Sequence, residues 1–442
     1  MAILSKEEAQ AILKKAISYS KADECTISLN GSEGGNIRYA RNAVSTAGDV
    51  SRKTLAVSSA FGKKVGFATI NEFDDKSLEK VVRRSEELAQ LAPENPEYMP
   101  VLGPQTYLES VTYKPATAAL NPDKRAEDVA KSLKVAKDAK LEAAGYLENS
   151  TSFNAMLNSK GLFAYNRDSD VSFSVTLRNA EGTGSGYASK SFNDYNKLDT
   201  LAMTKIAASK ANGSVGAKAI EPGKYTVILE PLAASDIMGP MFQGFDARSA
   251  DEGRNYMSKK GGGTRVGEKL FDEKVTIYSD PLDPELPFST FDGEGRPQKR
   301  TVWVENGVVK QLAYSRYWAQ KKGVESQPFG GRMVMQGGNS SIEDMIKNTE
   351  RGILVTRFWY IRSVDPQTLL LTGLTRDGTF YIENGKIQFP IKNLRFNESP
   401  VIMLNNVEEL GKQERNRSEG GTLYLPAMKI RDFTFSSLSD AV

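Results

Sequence analysis

The chain has 442 residues, 39% hydrophobic and 26% charged, with a formal net charge of +3, the composition of a globular protein of two domains. It contains no histidine, which excludes Ser-His-Asp and Cys-His catalysis, zinc helices built on paired histidines and any other site that needs imidazole. One cysteine, Cys25, excludes an internal disulfide, and neither an export-type apolar region in MAILSKEEAQ nor a membrane-length apolar run is found, so the chain reads as cytoplasmic.

Ser5 and Glu8 form a capping-box pattern, and Ala9, Ile12, Leu13, Ala16 and Ile17 share one face of the helix it starts. Strand-like pieces follow at residues 26–29, 37–40, 54–59 and 65–70, with a Gly-rich turn expected at residues 31–35. A second helix is expected over residues 76–91, ending before Pro93, and a third begins at Pro122. Residues 152–165 and 171–177 read as strands, the second with Val171, Phe173, Val175 and Leu177 on one face. A fourth helix is expected at residues 198–211. The small, Gly-containing segment 212–223 then marks the boundary between a domain at 1–215 and one at 216–442.

Beyond that boundary the pattern is mostly strands. Residues 225–229 are a buried-type run and 236–242 a short helix, while 258–269 is a basic, Gly-rich loop without a phosphate-binding motif. Asn306-Gly307 and Asn384-Gly385 each sit between β-branched runs, the pattern of a type I′ hairpin turn. Helices are expected at residues 342–349 and 401–410, the latter capped by Gly411, and strands at 422–435. The fold class is α+β: a mixed N-terminal domain with an antiparallel sheet and helices, then a β-rich, barrel-like C-terminal domain.

The stretch at residues 355–399, VTRFWYIRSVDPQTLLLTGLTRDGTFYIENGKIQFPIKNLRFNES, together with NIRYARNAVSTA at 36–47, resembles the TldD/PmbA family of peptide-processing proteases, once described as modulators of DNA gyrase. The resemblance implies that active members carry His-Glu-x-x-x-His on a helix after an apolar strand, binding Zn²⁺. The corresponding place here is EPLAASDIMGPMFQGF, where Ser235, Asp236 and Pro240 stand in the motif positions. It is thus similar to the PmbA/TldE branch, which lacks the metal motif and pairs with a TldD chain. No cofactor is expected in this chain, and zinc is expected in the partner.

The same resemblance places the signature block along the substrate cleft, which points to Arg362, Asp365, Arg376, Asp377, Asn393 and Asn397 as substrate-binding residues. Asp292 and Glu294, in a D-x-E-G-x-P run, are expected at a turn near the site and not in a metal cage. The function implied is a non-catalytic subunit that shapes the cleft of a heterodimeric zinc protease acting on unfolded peptides or peptide precursors. A homodimeric, chaperone-like peptide binder is the alternative. Balanced charge and the lack of a DNA-reading motif disfavour a gyrase modulator, and no nucleic acid or membrane partner is expected.

Overall fold

A computed structural model describes residues 3–418 and 420–439. The N-terminal part is a six-stranded antiparallel sheet in the order β3-β2-β1-β4-β5-β6. Its strands are β1 (Glu24–Ala40), β2 (Ala43–Phe61), β3 (Lys64–Ile70), β4 (Glu142–Asn158), β5 (Phe163–Arg178) and β6 (Ser185–Phe192). Helices α1 (Lys6–Ile17), α2 (Asp75–Leu91), α3 (Pro115–Ala118), α4 (Pro122–Asp138) and α5 (Thr200–Gly213) accompany it. The capping box forms: Ser5 Oγ accepts from Glu8 N, and Glu8 accepts from Ser5 N. One face of the sheet is apolar and covered. Ile27, Leu29, Leu55 and Val57 pack on Leu13, Leu78 and Val82, while Val171, Phe173, Val175 and Leu177 pack on Val129, Met203 and Ala207. The alternate residues of the same strands are mostly polar, among them Thr26, Ser28, Asn30, Ser172, Ser174 and Thr176.

Two N-terminal expectations are corrected. The glycines at 31–35 make no turn but lie inside the 17-residue strand β1. They are there for close approach, since a Cβ on Gly34 would stand 2.3 Å from the Asn149 carbonyl oxygen. The reversal comes later, at Arg41 and Asn42, both with positive φ. Residues 152–165 are likewise not one strand, because the chain turns between β4 and β5. Gly66 shows how tightly the helices sit: a Cβ there would lie 2.1 Å from the Ser85 carbonyl oxygen of α2. Gly66→Ala must push α2 off the sheet and is expected to cost about 1–3 kcal/mol, read from urea unfolding.

The C-terminal part is a 13-stranded mixed sheet. Its strands are β7 (Gly223–Leu229), β8 (Ile277–Ser279), β9 (Thr301–Glu305), β10 (Val308–Val309), β11 (Val334–Met335), β12 (Arg351–Val355), β13 (Phe358–Asp365), β14 (Leu370–Thr375), β15 (Thr379–Glu383), β16 (Lys386–Pro390), β17 (Leu394–Glu398), β18 (Val407–Ser418) and β19 (Gly421–Leu438). The main path ends at β10 and β16, and β13, β14, β17 and β18 branch from it through β19. No barrel closes among the described residues, so the barrel-like expectation is corrected to an open, branched sheet.

Helices α6 (Pro231–Phe242), α7 (Ala247–Asp251), α8 (Arg316–Lys322), α9 (Ile342–Lys347) and α10 (Pro400–Met403) complete the fold. Both Asn-Gly hairpins form, with all four turn residues at positive φ. The helix expected at 401–410 is a single turn, α10. From Val407 the chain is instead strand β18, whose pairing with β19 overrides the helical pattern. Gly411 is therefore no helix cap. Its carbonyl accepts from Gly338 N at 2.8 Å.

Candidate functional site

The helix expected at 236–242 begins earlier, at Pro231, immediately after the buried strand β7. Pro231 takes the first helical position, where a missing N–H costs nothing. Nearly the whole of α6 is buried, and Gly239 packs on Gly420, where an added Cβ would make an ordinary contact 3.6 Å from its Cα. The helix is thus wedged beside the turn joining β18 and β19.

The side chains of interest on α6 are already engaged. Ser235 Oγ donates to the Pro231 carbonyl at 2.8 Å, and the Asp236 carboxylate accepts from the Phe358 amide at 3.1 Å. Pro240 offers no donor atom and leaves the Asp236 carbonyl without its i+4 partner. This trio does not fit a zinc ion: one oxygen is spent on the helix backbone, one carboxylate holds a strand start, and imidazole is absent. Among the described residues no group of three or more Asp, Glu, Cys or His side chains could hold a metal.

Asp236 lies in a cleft of about 410 Å³ between α6 and the polar face of the N-terminal sheet. Tyr146, Glu148, Ser172 and Ser174 come from β4 and β5, Tyr187 and Ser189 from β6, and Arg357 and Arg417 from the C-terminal part. Arg357 lies over the Tyr187 ring, 3.9 Å from its centre, and pairs with Asp377 at 3.0 Å. Arg417 donates to Glu148 at 2.7 Å and to Ser172 Oγ at 2.6 Å. The walls are therefore polar and charge-balanced.

Two residues from Arg417 along the same strand, Arg415 is 4% exposed. It donates to Asn193 Oδ1 and to the Glu285 carbonyl, both at 2.7 Å, and lies 3.8 Å from Asp170. Burial pulls its guanidinium down to about 10. Burial also raises the Asp170 carboxyl, and pushes that of Asp168 up to about 6 against the pull of Arg332. The folded chain then binds more protons than the unfolded chain between the ordinary value of 3.8 and about 6. Stability from this group is complete below that window and is lost as pH rises through it. Asp168→Asn is expected to remove the decline, at most ~3 kcal/mol, when urea unfolding is compared at either end of the window.

The residues expected to bind substrate divide into two groups. Asp377 is buried, accepts from Ser185 Oγ at 2.5 Å and joins Arg357 to Arg376, whose Nε is 3.9 Å away. Arg376 stacks on Trp359 at 4.0 Å, and burial lowers its pKa. Asp377 and Asn393 also line a larger cavity of about 570 Å³ that does not reach α6. Arg362, Asp365 and Asn397 lie elsewhere. Arg362 stacks on Tyr360 at 4.1 Å, Asp365 caps the turn at Gln367 and Thr368, and Asn397 is exposed on β17.

Asp292 accepts from the amides of Glu294 and Arg296 and pairs with Arg296 Nε at 2.7 Å, while Glu294 reaches Arg316 at 3.9 Å. This closed turn packs beside Tyr107 and does not line the cleft holding Asp236. Glu148, Tyr146, Tyr187, Arg415 and Arg417 were not singled out from the sequence. The available signal was the polar face of β5, where Asp170, Ser172 and Ser174 alternate with Val171, Phe173 and Val175 under the helices.

Three family models match in succession: PmbA/TldA metallopeptidase domain 1 over residues 25–89, the central domain over 111–215 and the C-terminal domain over 222–437. The chain belongs to the PmbA/TldD metallopeptidase family. An uncharacterized protein of Methanocaldococcus jannaschii is 27% identical over 79% of this chain and 83% of its own length. Metalloprotease PmbA of Escherichia coli O157:H7 is 28% identical over 37% of each chain. The structure of TldE from Thermococcus kodakarensis covers 98% of this chain and 100% of its own, with a TM-score of 0.87 at 20% identity, so the family fold extends over nearly the full length. No helix is long and apolar enough to cross a membrane among the described residues.

Proposed function

We propose that this chain is the non-catalytic, TldE-like subunit of a cytoplasmic TldD–TldE-type zinc metalloprotease that processes unfolded peptides or peptide precursors. The chain shapes the substrate cleft, and a TldD-like partner supplies zinc and the general base. The observation that carries this reading is α6. It follows the buried strand β7 and lines a polar cleft, yet its one carboxylate, Asp236, is given to the Phe358 amide. A chain with no histidine cannot supply imidazole to a metal.

The Asp236 contact fixes the start of β13, which among the described residues pairs with β14 on one side only. An open strand edge beside the cleft can hold an extended peptide through its backbone, with little demand on side-chain sequence. Peptidase activity on an unfolded peptide, measured for each chain alone and for the two mixed, tests the reading. This chain alone is expected to be inactive and to raise the partner's rate at least tenfold. A mixture that cleaves no faster than the partner by itself refutes it.

A further inference from the structure

Two rows of polar side chains cross the N-terminal sheet on the face that its helices leave open. Pairing sets Arg52 beside Ser32, Ser32 beside Ser152 and Ser152 beside Asp168. Two residues along each strand, Thr54, Asn30, Asn154 and Asn166 form the second row in the same order. Both rows line a groove of about 390 Å³. It is shallow at β2, where Arg52 and Thr54 are exposed, and deep at β5, where Asn166 is 5% exposed. Asn166 Nδ2 donates to Thr112 Oγ1 at 3.4 Å, but its Oδ1 is buried with no partner among the described residues. A buried acceptor left in that state costs about 1–3 kcal/mol, which a donor entering the inner end would recover.

The two ends of the groove differ in charge. Arg52 stands at the outer end and Asp168 at the inner one, where Arg332 and Arg415 act on the carboxylate from the C-terminal part. Between them both rows are amides and hydroxyls, which offer donors and acceptors but no charge. Three strand spacings put the ends ~14 Å apart. We propose that this groove binds a short free peptide of about four small residues, with its carboxylate at Arg52 and its ammonium at Asp168. An extended peptide of that length spans about 13 Å. Lying between the rows, it turns its main-chain N–H and C=O groups to serines on one side and asparagines on the other, whatever its sequence. A groove of this volume is at the small end for a ligand site, which limits the peptide to short side chains. The groove shares no lining residue with the cleft holding Asp236, and Ser150 with its cross-strand neighbour Asp170 stands between the two. It needs neither zinc nor a second chain, and so does not rest on the proposed proteolytic role.

Isothermal titration calorimetry of the untagged full chain with tetra-alanine at neutral pH tests it. One peptide per chain is expected to bind, and N-acetylation or C-terminal amidation is expected to weaken binding at least about tenfold each. Arg52→Ala is expected to bind the free and amidated peptides equally, and Asn154→Trp, which fills the groove, to bind neither. Arg52 and Asn154 are both exposed, and an unchanged circular dichroism spectrum checks that each variant folds. Absence of tetra-alanine binding at millimolar concentration overturns the proposal, as do capped peptides that bind as tightly as the free one. So does binding that survives Asn154→Trp, and its loss in Ser174→Trp would place the peptide in the Asp236 cleft instead.

Discussion

Arg415→Ala is expected to lower the unfolding free energy by about 3–5 kcal/mol, one of the two largest effects anticipated for this chain. The guanidinium ties β18 to the N-terminal part through Asn193 and to the Glu285 carbonyl. Its removal leaves those acceptors unpaired and withdraws a positive charge from beside Asp170, in a place where little water can enter. Arg415→Lys keeps the charge and can offer one nitrogen to both oxygens, as Nη1 does, but it has no counterpart of the Nη2 that stands 3.8 Å from Asp170, so about half of the loss is expected. Urea unfolding of the three chains at neutral pH checks the order. Equal stability of wild type and Arg415→Ala would mean that this buried contact does not hold the two parts together.

The second large effect concerns the cleft. Ser174 and Ser189 are cross-strand partners on its floor. Ser174→Trp places an indole into a space of about 410 Å³ without displacing any core side chain. Under the proposed function, this change is expected to cut the stimulation of a TldD-like partner more than tenfold, while unfolding free energy stays within ~1 kcal/mol. Ser174→Ala, which leaves the space open, is expected to be near wild type in both assays. A Ser174→Trp chain that stimulates fully would remove this cleft from the substrate path.

Local chemistry was the most legible part of the sequence. Ser5 with Glu8 and the two Asn-Gly turns each have one physical solution, and each is present where expected. What failed were places where a distant strand decides. The glycines of β1 are punctuation in a linear reading but are contact points once β4 lies alongside. Residues 401–410 have a helical apolar pattern, yet β19 supplies pairing partners from Val407 onward. The site divides in the same way. Asp236 and Asp377 were singled out because they sit in compact motifs, although Asp377 lines the other cavity, whereas Arg417 and Glu148 come together from strands separated by more than half the chain. Their alternation with apolar neighbours marks a polar face, but not what that face would meet.

The central claim, that this chain carries no zinc site of its own, is tested most directly by zinc content per chain. Elemental mass spectrometry on untagged protein in chelator-free buffer avoids adding the histidines that a purification tag would bring. Zinc far below one equivalent is the expected result, matching the engagement of Ser235 and Asp236 within the fold. One full equivalent would contradict it, and this chain would then have to be an enzyme in its own right with an oxygen-ligand site.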